Sequence, residues 1–261
     1  MGINILKQKI KNALPSSLVA FLYAAKLSLK KLPEHHVYEE YLEHKSGIEI
    51  GGPSVIFRTV LPVYRVVSHL DGVNFSSTTM WEGSLKEGTS FRYDRGRAGI
   101  QYIAEATDLS MIPSDTYDFL LSSNCLEHIA NPFAALEEWK RVVVPNGYMV
   151  VVLPKKSSNF DHRRPVTSFQ HLLDDYAHHV DEHDLTHLDE ILSLHDLSRD
   201  PQAEGFEQFR ARCMDNFSHR GMHHHVFDTG LIERMFAHLD IHIMRTDETD
   251  SDYYALGQVV K

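Results

Sequence analysis

"GIEIGGPS" (47–54) reads as the end of a strand, an acidic residue and a glycine turn. Glycine is the residue that takes positive φ cheaply, and it lets a ligand come close to the backbone. Gly51 and Gly52 offer both properties directly after Ile50, while Pro53 and Ser54 stand where further small residues are expected. By itself the stretch is either a cofactor loop or a tight turn, and the segments around it must decide.

Working outward, the chain alternates strand-like and helix-like patterns. Ile48–Ile50 reads as a short buried strand, and Val63–Leu70 as a second, followed by "DGVNFS" (71–76). "QYIAEATDL" (101–109) reads as strand then loop, and "YDFLLSSN" (117–124) as an apolar strand with polar residues at its carboxyl end. Asn131 and Pro132 open a helix, Asn as N-cap and Pro in the first turn, with Phe133, Leu136, Trp139, Val142 and Val143 on its buried side. Asn146-Gly147 turns the chain into "YMVVVLP" (148–154), a continuous apolar run of the doubly covered parallel type. After a polar stretch, Asp228 or Thr229 caps a helix with the stripe Leu231, Ile232, Met235, Phe236 and Leu239, and strands at 240–245 and 253–260 close the chain. Strands alternating with helices predict an α/β fold with a parallel sheet.

Bulk properties exclude several classes. A net charge of −10 argues against nucleic-acid binding, which wants a basic face. Cys125 and Cys213 alone make no disulfide framework, which points to a reducing, cytoplasmic setting. No run of about 18 apolar residues predicts a membrane span, and the N-terminal residues show no secretory cleavage pattern. Residues 1–32 carry six lysines and no acid, with Ile3, Leu6, Ile10, Ala13 and Leu14 at helical spacing. Such a pair of basic amphipathic helices either packs on the core or on a second subunit, or lies on the anionic inner face of a membrane.

Four segments together resemble a known family: "IEIGGPS", "AEATDL", the run 117–154, and "HHHVFDTGLIERMFAHL" (223–239). They are similar to the class I S-adenosylmethionine-dependent methyltransferases, small-molecule branch, over about residues 47–154 and 226–260. The resemblance implies a Rossmann-like, doubly wound, mostly parallel seven-stranded sheet with a helical insert before the last helix and strands. It divides the chain into N-terminal helices (1–46), a cofactor-binding core (47–154), a His-rich insert over the acceptor (155–226) and a closing helix and strands (227–261). It implies that Glu49 holds the methionine amino group, directly or through water, and that Gly51 and Gly52 face methionine and ribose. Asp71 or Asn74 would hold the ribose, Asn74 departing from the usual acid. Glu105, Ala106 and Thr107 would contact adenine, and Ser122, Ser123 and Asn124 would line the floor near the sulfonium.

The insert carries the acceptor chemistry in this reading. Eleven of the eighteen histidines fall between His162 and His225. Methyl transfer needs alignment of donor and acceptor, and an oxygen acceptor also needs a base. His162, His187, His223, His224 and His225 form the candidate group, with His162, His187 and His224 as the leading catalytic choices. Arg163 and Arg164 could hold an acceptor phosphate or carboxylate, or pair internally. His187, Glu190 and Asp184 lie at helical spacing; a divalent metal is compatible with these residue types, but no ligand set is assigned. The insert also resembles one in methyltransferases of bacterial surface-polysaccharide clusters, through "FDHRRP", "DLTHLDEIL" and "HHHVFD". That implies O-methylation of a sugar or glycan intermediate. A catalytically inactive scaffold or regulator in a membrane-associated glycan assembly is the competing expectation. A dinucleotide oxidoreductase is disfavoured, because the loop lacks the third glycine of that fingerprint.

Overall fold

The computed structural model of the protein describes residues 31–200, 202–203 and 205–261. The basic helix pair expected in residues 1–32 lies outside them, except for residues 31 and 32. The chain begins with α1 (His35–Leu42), β1 (Ser46–Ile50), α2 (Val55–Thr59) and β2 (His69–Asn74). Then come the small hairpin β3 (Thr78–Thr79) and β4 (Gly83–Ser84), β5 (Gly88–Asp94), β6 (Arg97–Ile103), β7 (Tyr117–Ser123), α3 (Pro132–Val142) and β8 (Val143–Pro154). The following segment holds α4 (Phe169–Ala177), α5 (Leu188–Leu194), α6 (Phe206–Met214) and α7 (Asn216–His219); α8 (Thr229–His238), β9 (Ile241–Glu248) and β10 (Asp252–Val259) end it.

The main sheet has eight strands in the order β5-β6-β2-β1-β7-β8-β10-β9. β6, β2, β1, β7 and β8 run parallel, and β10 is antiparallel to both neighbours. Seven of these strands are the expected sheet. The eighth, β5, is an antiparallel edge strand that pairs with β6 through Phe91↔Gly99. Its alternation, with Phe91 and Tyr93 buried, lies in a stretch the sequence reading left unassigned.

Period-two alternation sends neighbouring residues to opposite faces. Leu120, Met149, Val151 and Leu153 pack under α3, α4 and α8, beside Trp139, Leu172 and Phe236. Phe119, Leu121, Val150 and Val152 pack on the other face with Tyr38 and Leu42 of α1 and Phe57 of α2. The sheet is thus covered on both sides, as its unbroken apolar strands require. Residues 188–222 add a small core of their own, built from Ile191, Phe209, Cys213 and Met222.

One strand differs from expectation in a way that matters. Val63–Arg65 is a single 3-10 turn, and β2 starts at His69. Asp71 therefore sits inside the strand, not in the loop after it. Its carboxylate is buried, accepting from Tyr117 Oη at 2.8 Å and the Ile100 amide at 2.7 Å, with His69 Nε2 2.7 Å away. Tyr117→Phe removes one of those donors without opening a cavity. It is expected to lower unfolding free energy by about 1–3 kcal/mol, the cost of leaving a buried polar group short of a partner; the shift in urea midpoint at unchanged m-value measures it.

Candidate active site

β1 has β2 on one side and β7 on the other, so strand order reverses between β1 and β7. Ligands of open α/β sheets bind at that switch point, beyond the carboxyl ends of the strands. A cleft of about 1000 Å³ opens there, lined by Gly51, Asn74, Ala104, Glu105 and Asn124 at the strand ends and by Phe160, Glu182, Arg220 and His223 of the His-rich segment.

The loop after β1 is held from below. Glu49 is fully buried; it accepts from Tyr64 Oη at 2.6 Å and from the Ser54 amide at 2.9 Å. Burial pushes its carboxyl up to about 7, against the pull of those two donors. Its side chain lies beneath Gly52, where a Cβ would come within 2.2 Å of the carboxyl carbon. Glu49 thus shapes the loop and does not face the cleft, contrary to the expected contact with a ligand's amino group. The Gly52–Pro53 peptide is cis, and Ser54 caps α2 through the Ile56 amide at 3.1 Å. Gly51 has φ +79, and a Cβ there would meet Cys125 Sγ at 2.9 Å across the switch point. Both the turn and the close approach of the two strand ends demand glycine at this position.

At the end of β2, Asn74 donates Nδ2 to the Gly52 carbonyl at 2.9 Å and lines the cleft. Asp71 does not. Of the ribose candidates, only Asn74 is therefore in reach. The loop 104–112 is fixed by α3: Trp139 Nε1 donates to Ala106 O at 3.0 Å, the Leu109 amide to Glu138 at 2.9 Å, and Arg141 to Leu109 O at 2.9 Å. Ala104, Glu105 and Ala106 line the cleft, whereas Thr107 does not. Glu105 meets Arg220 in a bidentate pair at 2.8 and 3.1 Å, and the guanidinium also rests over Phe75 at 5.0 Å. At the end of β7, Ser123 and Asn124 line the cleft; Ser122 is buried within the sheet one residue earlier.

The three leading histidines lie elsewhere. His162 is paired with Asp196 at 2.9 Å, and His187 stands against His171, also at 2.9 Å. His224 is fully buried against Asn216 at 3.1 Å. None of them lines the cleft. His128 and His223 do, with their ring centroids 4.5 Å apart, and buried Glu127 lies beside them. His223 Nδ1 is 2.5 Å from Asp161 Oδ2. Burial alone would lower the His223 imidazole, but the charge and hydrogen bond of Asp161 override it and hold the ring above its usual value. Asp161 stays at about 2 despite burial, because His223 and Arg164 stabilise its anion. Desolvation and the facing His223 hold half-buried His128 well below the usual imidazole range, and burial raises Glu127 to about 7.

Arg163 and Arg164 are not a phosphate clamp. Arg164 is 1% exposed and spends its donors on Asp161 at 3.0 Å, Glu190 at 2.7 Å and the carbonyls of His223 and His224 at 2.8 and 3.0 Å. Arg163 reaches Asp196 at 3.2 Å. The spacing of His187, Asp184 and Glu190 likewise forms no common site: Glu190 belongs to Arg164, and Asp184 accepts from Thr186. Glu127, His128 and Asp161 lie inside the segments 117–154 and "FDHRRP". Their signal was position: two titratable residues just past the end of β7, and a carboxylate at the start of the segment that covers the cleft.

Residues 58–151 match the family described as a methyltransferase domain. No curated protein matches the chain. Among solved structures, it is similar to a SAM-dependent methyltransferase from Aquifex aeolicus, at 13% identity over 91% of this chain and 97% of that one, with TM-score 0.47. It is also similar to an S-adenosylmethionine-dependent methyltransferase from Mesorhizobium loti (12% identity, 87% and 96% covered, TM-score 0.49). A third is one from Methanosarcina mazei (15% identity, 86% and 97% covered, TM-score 0.48). The matched residues and the sheet order give the Rossmann-like fold of a methyltransferase domain. S-adenosylmethionine is its cofactor, and the strand ends fit it: a left-handed glycine with no side chain at the switch point, an amide at the end of β2, and a cleft large enough for a nucleoside. Gly51→Val puts a β-branched side chain at positive φ, against Cys125 and the cleft. Calorimetric titration with S-adenosylhomocysteine is expected to show binding by the parent and at least a 100-fold loss in the variant, roughly 2.7 kcal/mol.

Proposed function

We propose that the chain transfers the methyl group of S-adenosylmethionine to a hydroxyl of a sugar or glycan intermediate, with His223 as general base. Bound S-adenosylmethionine supplies a methyl group activated by the sulfonium; the protein's own tasks are alignment, exclusion of water and removal of the acceptor proton. The observation that carries the reading is the Asp161–His223 pair inside the cleft. His223 Nδ1–H donates to the Asp161 carboxylate, which leaves Nε2 as the lone-pair nitrogen to take the hydroxyl proton. Asp161 is a positioning residue: it fixes the tautomer and stabilises the imidazolium that results.

The lining supports an uncharged, hydroxyl-rich acceptor. Trp81 and Phe160 offer flat apolar faces, and Asn159, Glu82 and Glu127 offer hydrogen-bonding edges around them. Arg220, a strong cation of the cleft wall, is already engaged by Glu105 and by Glu182 at 3.2 Å. An anionic group placed at the acceptor end would face carboxylates, a costly juxtaposition. The scaffold alternative draws on Pro53, Asn74 and the basic residues 1–32, and no observation of comparable weight favours it.

His223→Asn is expected to lower kcat by about 10²–10⁴-fold while S-adenosylhomocysteine affinity holds. The kcat/KM of the parent should rise with pH through an apparent pKa above the ordinary imidazole value, since Asp161 favours the protonated ring and the base acts only when deprotonated. Asp161→Asn removes that charge and should move the rising limb to lower pH. Methyl-uptake assays with neutral sugars and glycosides measure all three; an unchanged rate in His223→Asn would remove it as the base.

A further inference from the structure

Beyond the cleft, the His-rich segment gathers four potential ligands from three places in the chain. His171 and Asp175 lie one turn apart on α4, His187 precedes α5, and His225 lies on the return to the core; one ligand atom from each falls within 4.8 Å of all the others. We propose that His171, Asp175, His187 and His225 bind a divalent transition-metal ion of zinc type, which staples this segment to the methyltransferase core.

The distances suit such an ion. Tetrahedral zinc with metal–nitrogen bonds of about 2.0–2.1 Å spaces its ligand atoms about 3.3 Å apart. His171 Nε2 lies 2.9 Å from His187 Nε2 and 3.2 Å from Asp175 Oδ2. Two ring nitrogens and a carboxylate oxygen so placed share one centre. The group is also incomplete by itself. Asp175 Oδ2 and His225 Nδ1 are buried with no hydrogen-bond partner. His225 is 1% exposed, and its Nε2 lies 3.1 Å from Ala130 O and 3.6 Å from Asp175 Oδ2. Three imidazoles and one carboxylate make the mixed N/O set that zinc accepts, and four protein ligands close the shell, as in a structural site.

Anchoring follows from where the ligands start. Asn131 Nδ2 already donates to the Asp175 carbonyl at 3.2 Å, and His225 touches Ala130, so α4 and the return segment meet the loop before α3. An ion at this point would join α4, the start of α5 and that loop.

The test uses the full chain. Elemental analysis of the purified protein should find about one zinc-class ion per chain, and cobalt added after chelation should give the visible bands of a tetrahedral site. Asp175→Asn and His187→Gln should each lose the ion and weaken cobalt binding by more than the roughly 10–100-fold that an outer partner costs. His128→Gln, at the other His–carboxylate group, should keep it. A folded parent that holds no metal as purified and gives no cobalt bands overturns the proposal. So does metal retained in His187→Gln and lost in His128→Gln, which would place the ion in the cleft. Because parent metal content alone can refute it, an unfolded variant does not shield the proposal, and a parent without metal leaves the methyl-transfer reading untouched.

Discussion

A buried guanidinium organises the part of this protein that chemistry depends on. Arg164 cannot be left without partners, since an uncompensated buried charge costs about 3–5 kcal/mol. Its donors run to Asp161, to Glu190 of α5 and to two consecutive carbonyls of the His223–His225 run. Each contact sets something further. Asp161 is kept ionised and aimed at His223; α5 is tied to the chain beyond β8; and the backbone of the histidine run is fixed, which decides where each of its three rings can go. The proposed base His223 and the backbone that carries His225 are thus positioned by one cation.

How much of this was legible in the sequence differs between core and segment. Strand parity was legible in 117–124 and 148–154, because an unbroken apolar strand can only be covered on both faces, and the glycine pair after Ile50 marked the switch point. Val63, Val66, Val67 and Leu70 suggest a strand that starts too early: Val63, Tyr64 and Val67 pack with α1 and α2 as a turn, and apolarity alone does not separate a strand from a buried turn. This one shift carried Asp71 out of the cleft and into a sheet hydrogen-bond network. Glu49 was identified as important for the right reason and given the wrong task, since sequence cannot show on which side of a turn a carboxylate lies.

The histidines show the limit more sharply. Periodicity assigns faces only where the backbone is regular. His223, His224 and His225 lie on irregular backbone, and their rings go to Asp161, Asn216 and Ala130 respectively. Nothing in their adjacency separates the one in the cleft from the two that are not. The i, i+4 pair His171 and Asp175 was readable on a helix, but its partners His187 and His225 come from 12 and 50 residues beyond Asp175, a closure that only the folded chain reveals.

The clasp between Arg220 and Glu105 ties together two regions that could otherwise vary separately. Arg220 belongs to the His-rich segment over the cleft, and Glu105 to the loop after β6. A lineage that altered Arg220 to admit a different acceptor would, by the same substitution, release Glu105 and change the cofactor pocket. Under the proposed function, acceptor range and cofactor grip would therefore be constrained to evolve together.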